Sequence, residues 1–330
     1  MKKFVAILLT LMLVLGVSVA FAEDAAWDGS YAHTDETTFN VIEKTYTSEN
    51  NVVVNETLSF TSTAASSNPD TTKNLTVADL TVASLNPGTL AVTIPSLDKA
   101  GVYEWTIKET AGNTAGVTYS NAEVHVIVLV EYDNEAHALK IANTASYIKK
   151  ENGAKAKTFE NTFKSGSFTV AKDVTGNMAN ETDEFEIAVT LTSTKPIGSD
   201  ISVAGTTVAS TAWTKNGDTY TYTFSTNYSK KNGAKAFSDI PEGVTVSVVE
   251  NTADDKMNGY TYFSTNENKE NTFSMTIADA DANKAVVVTN DKTVGIDTGV
   301  TTESLPYVVL MGFVVLAGAA LLLKRKAHNN

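Results

Sequence analysis

Between its two apolar ends the chain alternates apolar and polar residues at a period of two, in short runs broken by turn signals. That period puts successive side chains on opposite faces of a strand, so it restricts the fold more than any single residue does. Thr, Val, Tyr and Phe fill the runs, and Asn86-Pro87-Gly88, Asn152-Gly153, Asn216-Gly217 and Asn232-Gly233 punctuate them. No long stretch of this part repeats at 3.6 residues. The expected class is all-β, with short antiparallel strands in two tandem Ig-like sandwiches.

Two sandwiches are expected because one phrase occurs twice. Gly101-Val102-Tyr103-Glu104-Trp105-Thr106-Ile107-Lys108-Glu109 is followed by Gly116-Val117-Thr118-Tyr119. Gly243-Val244-Thr245-Val246-Ser247-Val248-Val249-Glu250 is followed by Gly259-Tyr260-Thr261-Tyr262. An Ile-Pro element, Ile94-Pro95 or Ile240-Pro241, precedes each copy. With a boundary near Lys164-Ser165-Gly166, the domains are read as 35–164 and 165–292.

The ends carry address signals. Lys2 and Lys3, an apolar run from Phe4 to about Val19, and the small-residue site Ala20-Phe21-Ala22 read as a cleaved export signal over 1–22. A linker, 23–34, leads into the first domain. At the other end the apolar run 305–323 is long enough to span a bilayer. Lys324-Arg325-Lys326, in the tail 324–330, would hold that end in the cytoplasm. Within 293–304, Ile296-Asp297-Thr298-Gly299 keeps the Thr-Gly pair of a sortase sorting signal, without the usual Leu-Pro. Cleavage is expected between Thr298 and Gly299. The plain alternative is a single-pass membrane anchor.

Composition narrows the chemistry. A net charge of −13 repels nucleic acid and acidic membranes. An exported chain could form disulfides, yet this one has no cysteine. The histidines at 33, 125, 137 and 328 lack metal-ligand spacing, and no cofactor is expected. There is no Gly-x-Ser-x-Gly and no His-Glu-x-x-His, so a turnover enzyme is not expected. Asp279-Ala280-Asp281-Ala282-Asn283 lacks the rest of a calcium loop and reads as a hairpin turn.

Strand parity marks six residues. Phe168, Val170 and Lys172 share a face, as do Val244, Val246, Val248 and Glu250, and Val286, Val288 and Asn290. In the first half, Tyr103, Trp105 and Ile107 lead to Glu109, and Phe159 leads to Asn161 and Phe163. Lys44 shares a face with Ile42 and Tyr46, although Phe39 and Val41 fall on the other parity. Each apolar row therefore contains a Lys, Glu or Asn, in the same order in both domains. The Lys-to-Asn spacings are 117 (44 to 161) and 118 (172 to 290). Unpaired polar groups on such faces would cost several kcal/mol, about 1–3 per group or more when charged, so these must be paired or reactive. A desolvated lysine is a nucleophile, an Asn carboxamide is an electrophile, and a Glu between them can polarise the carbonyl and carry protons to leaving ammonia. Lys, Glu and Asn on facing strands of a dry core are the parts of an intramolecular amide.

With these residues the sequence resembles the isopeptide-linkage domains of Gram-positive sortase-assembled pilins. The phrases that carry it are Tyr103 to Glu109, Phe159-Glu160-Asn161-Thr162-Phe163, and Val288-Thr289-Asn290. The resemblance implies bonds Lys44–Asn161 and Lys172–Asn290, with Glu109 and Glu250 as catalysts. It implies a cell-surface shaft pilin, attached through Thr298 by a sortase, whose partners are neighbouring subunits or peptidoglycan. It leaves room for a host or surface receptor. The inter-subunit acceptor lysine it implies is Lys155 or Lys157, with Lys149 and Lys150 nearby. The alternative is a monomeric anchored adhesin stalk with the same self-crosslinked domains.

Overall fold

The computed structural model describes residues 37–39, 42–48, 50–149, 155–156, 158–265, 272–278 and 284–295. Nearly all of them that are regular are β, and their one helical element is the short 3-10 turn Ser210–Ala212. No helix among the described residues is long and apolar enough to cross a membrane. Both terminal apolar runs lie outside them. The chain divides into two compact units that change over between Lys164 and Ser165, with Gly198–Asp200 grouped with the first.

The first unit is built mainly from two sheets. One has four strands, in the order Val117–Thr118, Thr158–Phe163, Glu43–Ser48 and Gly88–Thr89. The other has five: Lys155–Ala156, Ala138–Lys149, Glu123–Asp133, Gly101–Glu109 and Phe60–Ala64. Thr158–Phe163 lies parallel to Glu43–Ser48, with Phe159 opposite Lys44 and Asn161 opposite Tyr46. Alternation is clean on the long strands. In Gly101–Glu109 every odd residue from Tyr103 to Glu109 is buried. Tyr103 and Trp105 stack at 5.6 Å in that core, and the Trp105 indole donates to the Lys73 carbonyl at 2.7 Å. A buried indole with its N–H satisfied is what a wholly enclosed Trp requires.

The conflicting parity before Lys44 has a structural cause. Thr37–Phe39 is a separate strand that pairs with Val92–Ile94 in another sheet. The lysine strand begins only at Glu43, so Lys44 is on the second described strand rather than the first.

The second unit repeats the plan with longer lysine and asparagine strands. A six-stranded sheet runs Thr206–Val208, Ile201–Val203, Lys235–Pro241, Ser165–Thr175, Lys284–Asp291 and Thr261–Thr265. A five-stranded sheet runs Thr214–Asn216, Thr219–Tyr228, Phe185–Ser193, Thr245–Glu250 and Thr272–Thr276. Ser165–Thr175 is parallel to Lys284–Asp291, with Lys172 opposite Val288 and Val174 opposite Asn290. The register matches the first unit: Asn stands opposite the residue two places after Lys. Most neighbouring strands in both units are antiparallel, so the parallel pairing of the lysine and asparagine strands stands out.

Candidate functional site

In each unit the lysine and asparagine strands are neighbours in one sheet, and the glutamate comes from the sheet across the core. The three residues are therefore not all on facing strands, as the alternation alone suggested. Lys and Asn lie diagonally on one face, within reach of a long side chain, and Glu closes over them from the other side.

In the first unit Lys44, Glu109 and Asn161 are 1%, 9% and 0% exposed. The Lys44 Nζ donates to Glu109 Oε2 at 2.8 Å. The Asn161 Nδ2 donates to Glu109 Oε1 at 2.8 Å and to the Tyr46 hydroxyl at 3.2 Å. The Asn161 Oδ1 accepts the backbone N–H of Ser120 at 2.8 Å. A backbone nitrogen can only donate, so that contact identifies the carboxamide oxygen without ambiguity. Phe60, paired with Glu109, and Phe159, paired with Lys44, meet with ring centroids 5.4 Å apart. Burial lowers the Lys44 ammonium below its ordinary pKa, and its hydrogen bond to Glu109 opposes that shift.

The second unit assembles Lys172, Glu250 and Asn290 in the same way, at 4%, 2% and 0% exposure. The Lys172 Nζ donates to Glu250 Oε2 at 2.9 Å, and the Asn290 Nδ2 donates to Glu250 Oε1 at 2.6 Å. The Lys172 Nζ also sits 4.3 Å from the centre of the Phe185 ring, and that ring meets Tyr260 edge-on at 5.1 Å. Desolvation pulls the Lys172 amine down to about 8, against the raising effect of Glu250. The Asn290 Oδ1 is buried and has no hydrogen-bond partner among the described residues.

In both triads one carboxylate holds both nitrogens that an amide exchange would involve. An oxygen on Lys Nζ and the other on Asn Nδ2 form a bridge between the entering amine and the leaving one. That arrangement moves protons from nucleophile to leaving group. It does not put the carboxylate on the carbonyl oxygen, which was the other role expected of it.

Residues 29–164 match the family described as the Spy0128-like isopeptide containing domain (FctA). That match spans the first domain. The resemblance read from the sequence, to self-crosslinking pilin domains, is borne out by this match. The Spy0128-like domain is followed by a match over residues 166–292 to another family, a domain of unknown function (DUF7601). Among solved structures, the major pilin of Streptococcus pyogenes is 19% identical, with 81% of this chain and 100% of that chain covered at a TM-score of 0.49. The T-13 major pilin of the same organism is 19% identical, with 80% and 99% covered at 0.48. A pilus-presented adhesin is 15% identical, with 52% and 37% covered at 0.31. No curated protein sequence matches the chain.

The other sites read from the sequence divide by location. Lys155 is on the two-residue strand Lys155–Ala156, opposite Lys149, rather than in an open turn. Lys157, Thr298, Gly299 and the apolar run 305–323 lie outside the described residues. Sequence reasoning missed the Ser120 N–H, because a backbone donor has no letter of its own. The nearest signal was its place just after Gly116-Val117-Thr118-Tyr119, the second half of the repeated phrase.

Proposed function

We propose that this chain is a shaft pilin subunit of a Gram-positive-type cell surface, made of two Ig-like domains that each lock themselves with one Lys–Asn amide. Lys44 joins Asn161 with Glu109 as proton carrier, and Lys172 joins Asn290 with Glu250. The single observation that carries this reading is the duplication of one buried triad, at one register, between paired parallel strands. A lone buried ion pair is weak support for anything, since replacing one by apolar residues is often neutral. Two ion pairs with a carboxamide on the same carboxylate are better accounted for by reaction than by stability.

The chemistry needs no outside enzyme. The neutral amine attacks the carboxamide carbon, the Nζ proton passes to the glutamate, and the asparagine nitrogen leaves as ammonia carrying a proton from the same carboxyl. The held geometry supplies the effective concentration. The cycle runs once and leaves the glutamate as it began. Assembly follows the sequence reading: a sortase cleaves after Thr298, and the acyl group passes to Lys155 or Lys157 of a neighbour, or to peptidoglycan.

The deciding experiment is an intact mass of the exported two-domain region. Two ammonias below the sequence mass supports both bonds. A mass equal to the sequence removes them, and the chain is then an ordinary two-domain surface protein.

A further inference from the structure

The two triads differ at the asparagine carbonyl. In the first domain the asparagine carbonyl has a donor, the Ser120 N–H at 2.8 Å. In the second the corresponding oxygen is buried without a partner among the described residues. We propose that the backbone N–H of Ser120 is a catalytic oxyanion donor for the Lys44–Asn161 condensation, held in place by the side chain of Tyr119. This rests on the reading that the amide forms.

The local structure explains why that N–H is available. Val117–Thr118 pairs with Phe163 and Thr162 on the far side of the asparagine strand, and the ladder stops there. Ser120 lies beyond the last rung, so its N–H is not used by the sheet and turns to the Asn161 side chain. The approach is fixed by its neighbour. The Tyr119 hydroxyl donates to Glu56 Oε2 at 2.7 Å and accepts the Thr114 N–H at 3.0 Å. The Thr114 hydroxyl donates to the same Glu56 oxygen at 2.8 Å. On the other side, the Ser120 Oγ accepts the Ala122 N–H at 3.3 Å. The side chain of Ser120 therefore serves its own loop, and only its backbone faces the reacting group.

In the second domain the repeated phrase puts Phe263 after Tyr262, where Ser120 follows Tyr119. Phe263 falls at an irregularity in the ladder between Tyr262 and Ser264. No backbone N–H there reaches the Asn290 oxygen.

When the Lys44 Nζ bonds to the Asn161 Cγ, the carbonyl electron pair moves onto Oδ1. A donor already 2.8 Å away stabilises that oxyanion without reorganising. The carbonyl then re-forms as the Cγ–Nδ2 bond breaks. The nitrogen leaves as ammonia, with the Lys44 proton delivered through Glu109. Atoms balance as one amine plus one carboxamide giving one secondary amide plus ammonia.

The test follows bond formation in the full chain made by cell-free synthesis. Peptide mapping at timed intervals counts the Lys44–Asn161 and Lys172–Asn290 linked peptides separately. Ser120→Pro removes the N–H and should slow the first linkage by about 10²–10³-fold, with the second unchanged. Ser120→Ala keeps the N–H and should form the first linkage at the wild-type rate. Tyr119→Phe, which leaves the backbone intact but frees its anchor, should slow it by about tenfold. Should Ser120→Pro fail to fold, the other two variants decide. A wild-type rate in Tyr119→Phe, or a slow one in Ser120→Ala, overturns the proposal. So does a Ser120→Pro chain that links at the wild-type rate. Absence of both linkages in the wild type would refute the amide reading itself, a distinct outcome.

Discussion

Replacing Glu250 separates what the carboxylate does from what the bond does. Glu250→Gln keeps a hydrogen-bonding group of the same shape between Lys172 and Asn290 but cannot ferry a proton. The amide should not form, and the chain should regain one ammonia of mass. Losing a closure of 118 residues (172 to 290) removes about 5 kcal/mol in the chain-entropy account. Glu250→Ala loses the same closure and also leaves the Lys172 amine, 4% exposed, against Phe185 with no carboxylate. A broken buried pair adds roughly 3 kcal/mol or more. Against a typical domain stability of about 5–15 kcal/mol, ~8 kcal/mol is most of it. For a domain of about 125 residues, each kcal/mol moves the melting temperature by ~4 °C. The calorimetric transition of the second domain should therefore drop by roughly 20 °C in Glu250→Gln and about 30 °C in Glu250→Ala, from these same terms. The transition of the first domain should stay in place, since its own triad is intact. A Glu250→Gln chain that still lacks the ammonia would refute the proton-carrier argument. An unlinked chain melting within a few degrees of wild type would refute the energetic one.

Three further outcomes follow. The Lys172 amine, lowered to about 8, is neutral above that pH, so the rate of the second linkage in freshly made chains should rise about tenfold per pH unit up to pH ~8 and then level off; a rate that is flat or falls from pH 6 to 9 would contradict this. Thr298→Ala should leave the protein in the detergent-soluble membrane fraction, whereas wild-type chain that detergent alone extracts from intact walls would make 305–323 a simple anchor. Lys155→Arg with Lys157→Arg keeps the charge but removes the nucleophile, so high-mass ladders from cell walls should vanish while monomer stays on the surface; ladders that persist move the acceptor to Lys149 or Lys150, and wild type without ladders supports the adhesin stalk.

Much of the candidate site could be read from parity. Lys172, Glu250, Asn290, Glu109 and Asn161 each end or interrupt an apolar row, and the duplication picks them out from ordinary solvated strand ends. Lys44 was harder, because Phe39 and Lys44 belong to different sheets and no letter marks the crossing. Alternation states which residues share a face, not which strands are neighbours. The parallel pairing of the lysine and asparagine strands, and the glutamate reaching across from the other sheet, come from closing the sandwich. The position of Ser120 depends on a ladder that stops two residues earlier, and side-chain periodicity carries no information about where backbone donors go.

The parallel pairing of lysine and asparagine strands has a consequence for damage. With both amides formed, residues 44–161 and 172–290 are each closed covalent rings. A protease that cuts once inside a ring, for instance at the exposed turn around Glu135 between Glu123–Asp133 and Ala138–Lys149, converts it to a branched chain and severs nothing. Only the stretches outside the rings can part the molecule. The one between them, 162–171, is almost wholly strand, with Lys164 its single residue outside one. A protease needs a locally unfolded segment of several residues to bind, and this connection offers almost none.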